Sequence, residues 1–115
     1  MSSVSVVARS SFSVADTVNR RITSNVAGTV TIVDPLVYPD GFRLWSLWGQ
    51  AQTPGSVLEF RLGTSAAAGR VIGRQLYGDP GFMALSGYID IAVGDGLWCE
   101  VITPDVIICA SWVPL

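Results

Sequence analysis

The sequence contains no histidine and no lysine, and these two absences exclude much of enzyme chemistry. Histidine is the commonest general base and the commonest metal ligand, so Ser-His and Cys-His catalytic arrangements cannot form. Without lysine the chain cannot form a Schiff base with a carbonyl substrate. We therefore expect no catalytic residue, no metal site and no cofactor, and we expect that the protein is not an enzyme.

The remaining acidic residues offer one weak catalytic alternative. Glu59 and Glu100 are the only glutamates, and a glycosidase pair would combine, for example, Asp90 with Glu100. An interface carboxylate that pairs with arginine is the interpretation we favour, because ion-pair networks also perturb carboxylates. The Asp-Gly segments "VGDGLW" and "YPDGF" lack the regularly spaced oxygen ligands of a calcium loop, so we interpret them as turns.

Charge is scarce in this 115-residue chain: charged residues make up 14% and hydrophobic residues 50%. Soluble domains average about 25% charged residues, so the polar surface is too small to coat a monomer. All seven positive charges are arginines. Protein interfaces are enriched in arginine and depleted in lysine, although codon usage in a GC-rich genome would give the same bias. The net charge of −2 argues against a nucleic-acid partner.

Long apolar runs are also missing. No stretch reaches the roughly 18 to 20 residues of a membrane-spanning helix, so we expect no membrane partner. The start, "MSSVSVVARSSFSV", lacks a basic region followed by a long apolar one, so we expect no signal peptide and a product made in the cytoplasm. Two cysteines are too few for a disulfide scaffold.

What the sequence does contain is a series of short β-branched and aromatic runs separated by Gly, Pro, Asp and Ser. This pattern is typical of an all-β protein. We predict strands at 4–9, 19–24, 28–34, 42–51, 56–62, 70–76, 87–93, 97–102 and 106–113. A chain of this length forms one domain, so we predict a single antiparallel β-sandwich of about eight strands, jelly-roll-like, over residues 1–115. Residues 1–27 form either a first strand or an arm that pairs in the assembly.

The last three predicted strands read as two successive hairpins. A three-residue loop at 94–96, with Gly96 left-handed, places Ile91 opposite Cys99 and gives one wholly apolar face. A turn at Pro104-Asp105 then aligns Leu97, Cys99 and Val101 with Ile108, Ala110 and Trp112. In this register Asp90 faces Glu100, so an arginine from elsewhere should neutralise the pair.

The two cysteines fall on opposite faces in the same register. We therefore expect both Cys99 and Cys109 to be free thiols that pack as small hydrophobic residues. A three-residue loop at "TPD" would instead place them face to face.

Apolar side chains on both faces of one strand predict an assembly. Trp45 and Trp48 stand three residues apart in "FRLWSLWGQAQ", so they should point in opposite directions, one to the core and one to an interface. Ile107 and Cys109 repeat this problem near the C-terminus. No helix is available as a third layer, so a neighbouring subunit is the simplest cover. The candidate interface residues are Trp45, Trp48, Trp98, Ile107, Arg43 and Arg61.

Residues 41–113 resemble the small jelly-roll virion proteins of tailed bacteriophages, of the head decoration or cement type. The resemblance rests on Gly-punctuated strands with few charges, from "DGFRLWSLWGQAQTPGSVLEFRLGTS" through "GRVIGRQLYGD" to "SGYIDIAVGDGLWCEVITPDVIICASWV". It implies a virion location and a homotrimer that sits on the capsid lattice and braces neighbouring major capsid subunits. No motif matches residue by residue, so no binding residues carry over.

A different class of function stays open beside this one. Exposed aromatic rings near Asp, Asn and Arg are how sugar-binding sandwiches hold glycans, so the chain could be a glycan- or receptor-binding module of a phage tail or a cell surface. Core and interface packing uses the same aromatic residues, and we favour packing. A glycan array separates the two hypotheses.

Overall fold

The computed structural model describes residues 17–79 and 88–115. These residues form eight strands: β1 (Val18–Ser24), β2 (Gly28–Val33), β3 (Phe42–Ala51), β4 (Val57–Gly63), β5 (Arg70–Leu76), β6 (Ile89–Ile91), β7 (Gly96–Thr103) and β8 (Val106–Pro114). One short 3₁₀ turn, Pro35–Val37, lies between β2 and β3 and is capped by the Asp34 side chain. Within the described ranges no helix is long and apolar enough to cross a membrane.

The strands form two four-stranded antiparallel sheets. Sheet one has the order β1-β8-β3-β6, and sheet two has the order β2-β7-β4-β5. The pairs are nested, because the first strand pairs with the eighth, the second with the seventh, the third with the sixth and the fourth with the fifth. This is the winding of a jelly roll, so the predicted all-β sandwich of about eight strands is confirmed.

The core lies between the two sheets. Its largest fully buried side chains come from both layers, among them Phe42, Leu47 and Ile108 from sheet one and Phe60 and Leu97 from sheet two. Burying a side chain of this size contributes about 1.5–3 kcal/mol, and alternation along each strand brings every second residue inward. The sandwich therefore has one continuous hydrophobic centre, and each sheet keeps an outer face.

The predicted C-terminal hairpins are wrong, although the apolar faces they were based on are correct. Strand β6 pairs with β3 and not with β7, and β7 and β8 lie in different sheets. Leu97, Cys99 and Val101 still meet the set of Ile108, Ala110 and Trp112, but they do so across the core. A sandwich and a hairpin both bring two apolar faces together, so the pattern alone does not distinguish them.

Gly96 is also different from the prediction. The left-handed residue of this loop is Gly94, with a φ of 88°, while Gly96 begins β7 with no positive φ. Gly96 is needed for space, since a Cβ there would lie 2.6 Å from Pro35 Cδ and 2.7 Å from the Val33 carbonyl oxygen. The glycine therefore allows the chain before β3 to cross close to the start of β7.

The short connection between β7 and β8 moves the chain from one sheet to the other. Hydrogen bonds fix its path: Ser56 Oγ donates to the Pro104 carbonyl oxygen at 2.7 Å, and Gln52 N donates to the Asp105 carbonyl oxygen at 2.9 Å. Ser56 is fully buried, so its hydroxyl needs this hydrogen bond to a protein group.

The N-terminal prediction is only partly within the described residues. Strand β1 lies inside the 1–27 segment and pairs with β8 of the same chain. The predicted strand at 4–9 and residues 1–16 of the predicted 1–27 arm lie outside the described residues, so the arm and the domain limits stay predictions.

Candidate functional site

The outer face of sheet one, called face one below, collects four of the six candidate interface residues. Cross-strand register places Arg21, Cys109 and Trp48 side by side, with Thr23, Ile107 and Gln50 in the next row. Arg43 lies farther along the same face, paired in register with Asp90. The members of face one are Asn19, Arg21, Thr23, Arg43, Trp45, Ser46, Trp48, Gln50, Asp90, Ile107, Cys109 and Ser111.

Trp45 and Trp48 both lie on face one, so the prediction that one of them occupies the core is wrong. The register of β3 against β8 shifts between Leu44 and Ser46, which makes Trp45 the extra residue of a β-bulge. The bulge restores inward positions for Leu47, Gly49 and Ala51 after Leu44. Trp45 is 39% exposed and Trp48 is partly buried. The core tryptophan is Trp112 instead.

Trp45 belongs to an ordered surface cluster with Tyr88, Arg43 and Asp90. The Trp45 and Tyr88 rings meet edge to face with centroids 5.4 Å apart, and the Arg43 guanidinium stacks 3.8 Å from the Tyr88 centroid. Arg43 Nε donates to Asp90 Oδ1 at 2.6 Å and Arg43 Nη2 donates to Asp90 Oδ2 at 3.0 Å. This fork holds the pKa of Asp90 below its ordinary value and raises the pKa of Arg43. We name these four residues the aromatic cluster.

The expected contact between Asp90 and Glu100 is wrong. Asp90 projects from sheet one and Glu100 from the outer face of sheet two, so the sandwich separates them. The structure therefore does not bring the candidate glycosidase pair together. Asp90 does pair with an arginine, as the sequence predicts, because Arg43 neutralises it.

The outer face of sheet two, called face two below, holds the other two candidates. Arg61 and Trp98 are cross-strand partners, and the Trp98 indole N–H donates to the Gly63 carbonyl oxygen at 3.3 Å. Glu59 is 12% exposed and accepts from Arg61 at 3.2 Å, with Arg74 3.5 Å away. The members of face two are Thr29, Thr31, Val57, Glu59, Arg61, Val71, Arg74, Leu76, Trp98, Glu100 and Ile102.

Glu100 stands apart within face two. It lies directly opposite Glu59 in the register of β4 and β7, and the Thr29 hydroxyl donates to its Oε1. Like charges in directly opposed positions repel, and both arginines near this pair contact Glu59 rather than Glu100. Sequence reasoning singled out neither Arg21 nor Arg74 nor Glu59 for these faces, because their positions depend on sheet pairings that the pattern does not specify.

Both cysteines are free, as the sequence predicts, but they lie in different sheets and only Cys99 is buried. Cys99 is fully buried in the core, whereas Cys109 is partly exposed on face one. Burial, with a smaller effect from the Glu100 charge, raises the pKa of the Cys99 thiol to about 12. Cys99 therefore behaves as a small hydrophobic residue and not as a nucleophile.

Two shallow polar grooves occupy one end of the sandwich on either side of Gln52. One is lined by Gln50, Gln52, Tyr77 and Asp79, and the other by Thr23, Ser24, Asn25, Gln52 and Asp105. Within residues 17–79 and 88–115, no group of three or more Cys, Asp or Glu side chains could hold a metal ion. The arrangement of both faces suits protein contacts better than bond-making chemistry.

Comparison with known proteins gives matches only among solved structures. No family model and no curated protein matches the sequence. Two similar crystal structures are both described as a pentameric capsid protein isolated from metagenomic phage sequences, and each has a TM-score of 0.52 at 13% identity. The alignments cover 90% of this chain and 64% and 65% of those chains, so this chain spans less than two thirds of the proteins it resembles. At this identity, the structural similarity shows that the fold is shared.

Proposed function

We propose that the chain is a non-enzymatic structural protein of a phage virion and that it works as a homo-oligomer. The observation that carries the proposal is the pair of outer faces, each with a partly buried tryptophan and a further large apolar residue on the same face: Trp48 with Ile107 on face one and Trp98 with Ile102 on face two. Tryptophan and arginine dominate the energetic centres of protein interfaces. The similar solved proteins, described as pentameric phage capsid proteins, support assembly of this fold.

Within the virion we propose the role of a decoration or cement protein that braces major capsid subunits. The sequence resemblance supports this role, and the fold similarity supports a position in the capsid. The trimer implied by the resemblance stays a prediction, while the similar proteins are pentamers. A cyclic trimer and a cyclic pentamer would each use two different surfaces of every subunit.

Native mass spectrometry and light scattering on the purified chain test the proposal. We expect a single species at three or five times the 12.2 kDa subunit mass at micromolar concentration. A monomer across that range would contradict the oligomer. Electron microscopy of the same sample separates the roles: discrete rings agree with decoration, whereas closed shells would show a shell-forming capsid protein instead.

The aromatic cluster supports a second candidate, glycan or receptor binding. Tyr88 is 50% exposed and Trp45 is 39% exposed, with the Asp90 carboxylate beside them, so a sugar ring could stack while its hydroxyls reach a polar group. A glycan array on the intact protein and on Trp45→Ala tests this. Binding of one sugar class that the variant loses favours the receptor module, and the absence of specific binding favours the structural role.

A further inference from the structure

Each outer face carries one charged side chain that has no ion pair with any described residue. On face one it is Arg21, since Arg43 pairs with Asp90. On face two it is Glu100, since Arg61 and Arg74 both pair with Glu59. These two charges have opposite signs.

Each of the two charges shares its face with a tryptophan. Arg21 shares a cross-strand row with Cys109 and Trp48 in sheet one. Glu100 is two residues from Trp98 on β7, so both side chains project from the same side of sheet two. Each face therefore combines a tryptophan with one charged side chain that lies outside the ion pairs of that face, which is the composition of an interface centre with its specificity element.

The signs decide how two copies can meet. Face one against face one brings two Arg21 side chains together near a twofold axis, and face two against face two does the same with Glu100. Like charges that face each other across an interface cost several kcal/mol, whereas face one against face two places opposite charges together.

We infer, building on the proposed oligomer, that face one of one copy packs on face two of the next, with Arg21 meeting Glu100. The occupant of each face is therefore a second copy of this chain. Such a head-to-tail contact is heterologous, so it closes into a ring of three or more subunits or continues as a filament, and it cannot form an isolated symmetric dimer.

Charge reversal tests the contact directly. Arg21→Glu and Glu100→Arg should each raise the apparent dissociation constant of the oligomer by about tenfold or more. The double variant restores opposite charges with reversed polarity, so its dissociation constant should return to within about threefold of the original. An equimolar mixture of the two single variants should form mixed complexes in native mass spectrometry in preference to complexes of either variant alone, because each pairs correctly only with the other. A ring of three or five subunits keeps one mismatched contact.

Matched reversals outside both faces provide the control. Arg70→Glu and Asp40→Arg make the same charge changes at exposed positions and should leave the dissociation constant unchanged. If a reversal variant does not fold, as judged by circular dichroism, Arg21→Ala and Glu100→Gln remove the attraction without repulsion and should weaken assembly by about threefold. An oligomer that neither reversal weakens overturns this inference and leaves the proposed function intact, whereas a wild-type monomer overturns the proposed function itself.

Discussion

Whether a tryptophan of this protein is buried or exposed depends on the groups that surround its indole. Trp112 is 3% exposed, and its indole N–H donates to the Tyr38 hydroxyl at 2.9 Å while the two rings meet edge to face. A buried indole needs such a hydrogen-bond acceptor, because an unsatisfied buried N–H is costly. Trp45 meets the Tyr88 ring edge to face and remains at the surface, 39% exposed.

Truncation of the two rings should therefore have different effects. Trp112→Ala should lower the free energy of unfolding by about 3–5 kcal/mol, because it leaves a large cavity in the core. Trp45→Ala should lower it by less than about 1 kcal/mol, since Trp45 is already 39% exposed. Urea denaturation measures both values, and equal losses would contradict the assignment of Trp112 to the core.

At Gly49 the neighbouring side chains leave no room for a larger residue. A Cβ at this position would lie 2.5 Å from Phe60 Cζ and 2.9 Å from Leu58 Cδ1. Gly49→Ala should therefore lower the free energy of unfolding by about 1–3 kcal/mol through overpacking. Phe60→Leu makes room, so in the double variant the cost of the added methyl should fall; strictly additive costs would contradict the contact.

The two thiols should differ in reactivity. Since the pKa of Cys99 is raised to about 12 by burial, its thiolate is scarce at pH 8 and a thiol reagent should label it only after unfolding. Cys109 is partly exposed and should react first in the native protein. Stoichiometry from mass spectrometry checks this, with one label before denaturation and two after it; two labels on the folded monomer would contradict it. Assembly over face one should slow the reaction of Cys109.

At the scale of the strand, the bulge in β3 explains why its side chains do not alternate regularly between the core and the outer face. Leu44 faces the core before the bulge and Leu47 after it, an odd spacing that an unbroken strand cannot provide. The limits of β3 and β5 follow from the sequence, because Gly and Pro punctuation marks both ends. The bulge does not, because the segment "LWSL" is compatible with either face until the partner strand fixes the register.

Deletions across this bulge test its role. Removal of Trp45 leaves Phe42, Leu44, Leu47, Gly49 and Ala51 in strict alternation, so the variant should fold with a loss of about 1–2 kcal/mol. Removal of Trp48, an equal shortening of the same strand, moves Gly49 and Ala51 outward and should abolish folding. Circular dichroism and thermal melting compare the two, and a folded Trp48 deletion would contradict the assigned register.

At the scale of the whole molecule, the nested pairing explains which predictions failed. Face assignment needs only local alternation, so the inward sets of β7 and β8 and the candidate surface residues Ile107 and Trp98 were predictable. Pairing is a long-range property: β1 contacts β8 across almost the whole described chain. A hairpin is the shortest connection, but in this jelly roll all consecutive strands except β4 and β5 lie in opposite sheets, so the local hairpin interpretation was wrong for β6, β7 and β8.

Subunit assembly and the stability of the folded subunit should be coupled in this molecule. With 14% charged residues and tryptophans on both outer faces, the subunit gains stability when a neighbour covers them. A partner that binds only the folded state raises the free energy of unfolding by about 1.4 kcal/mol for each tenfold excess over the dissociation constant. The melting temperature therefore rises with concentration. We therefore expect the melting temperature in differential scanning fluorimetry to rise steadily between about 1 and 100 μM protein. Arg21→Glu should melt at a lower temperature with little dependence on concentration, because its subunits dissociate. A wild-type melting temperature that stays constant over this range, together with a monomeric mass, would show that the exposed tryptophans are not covered by a second copy.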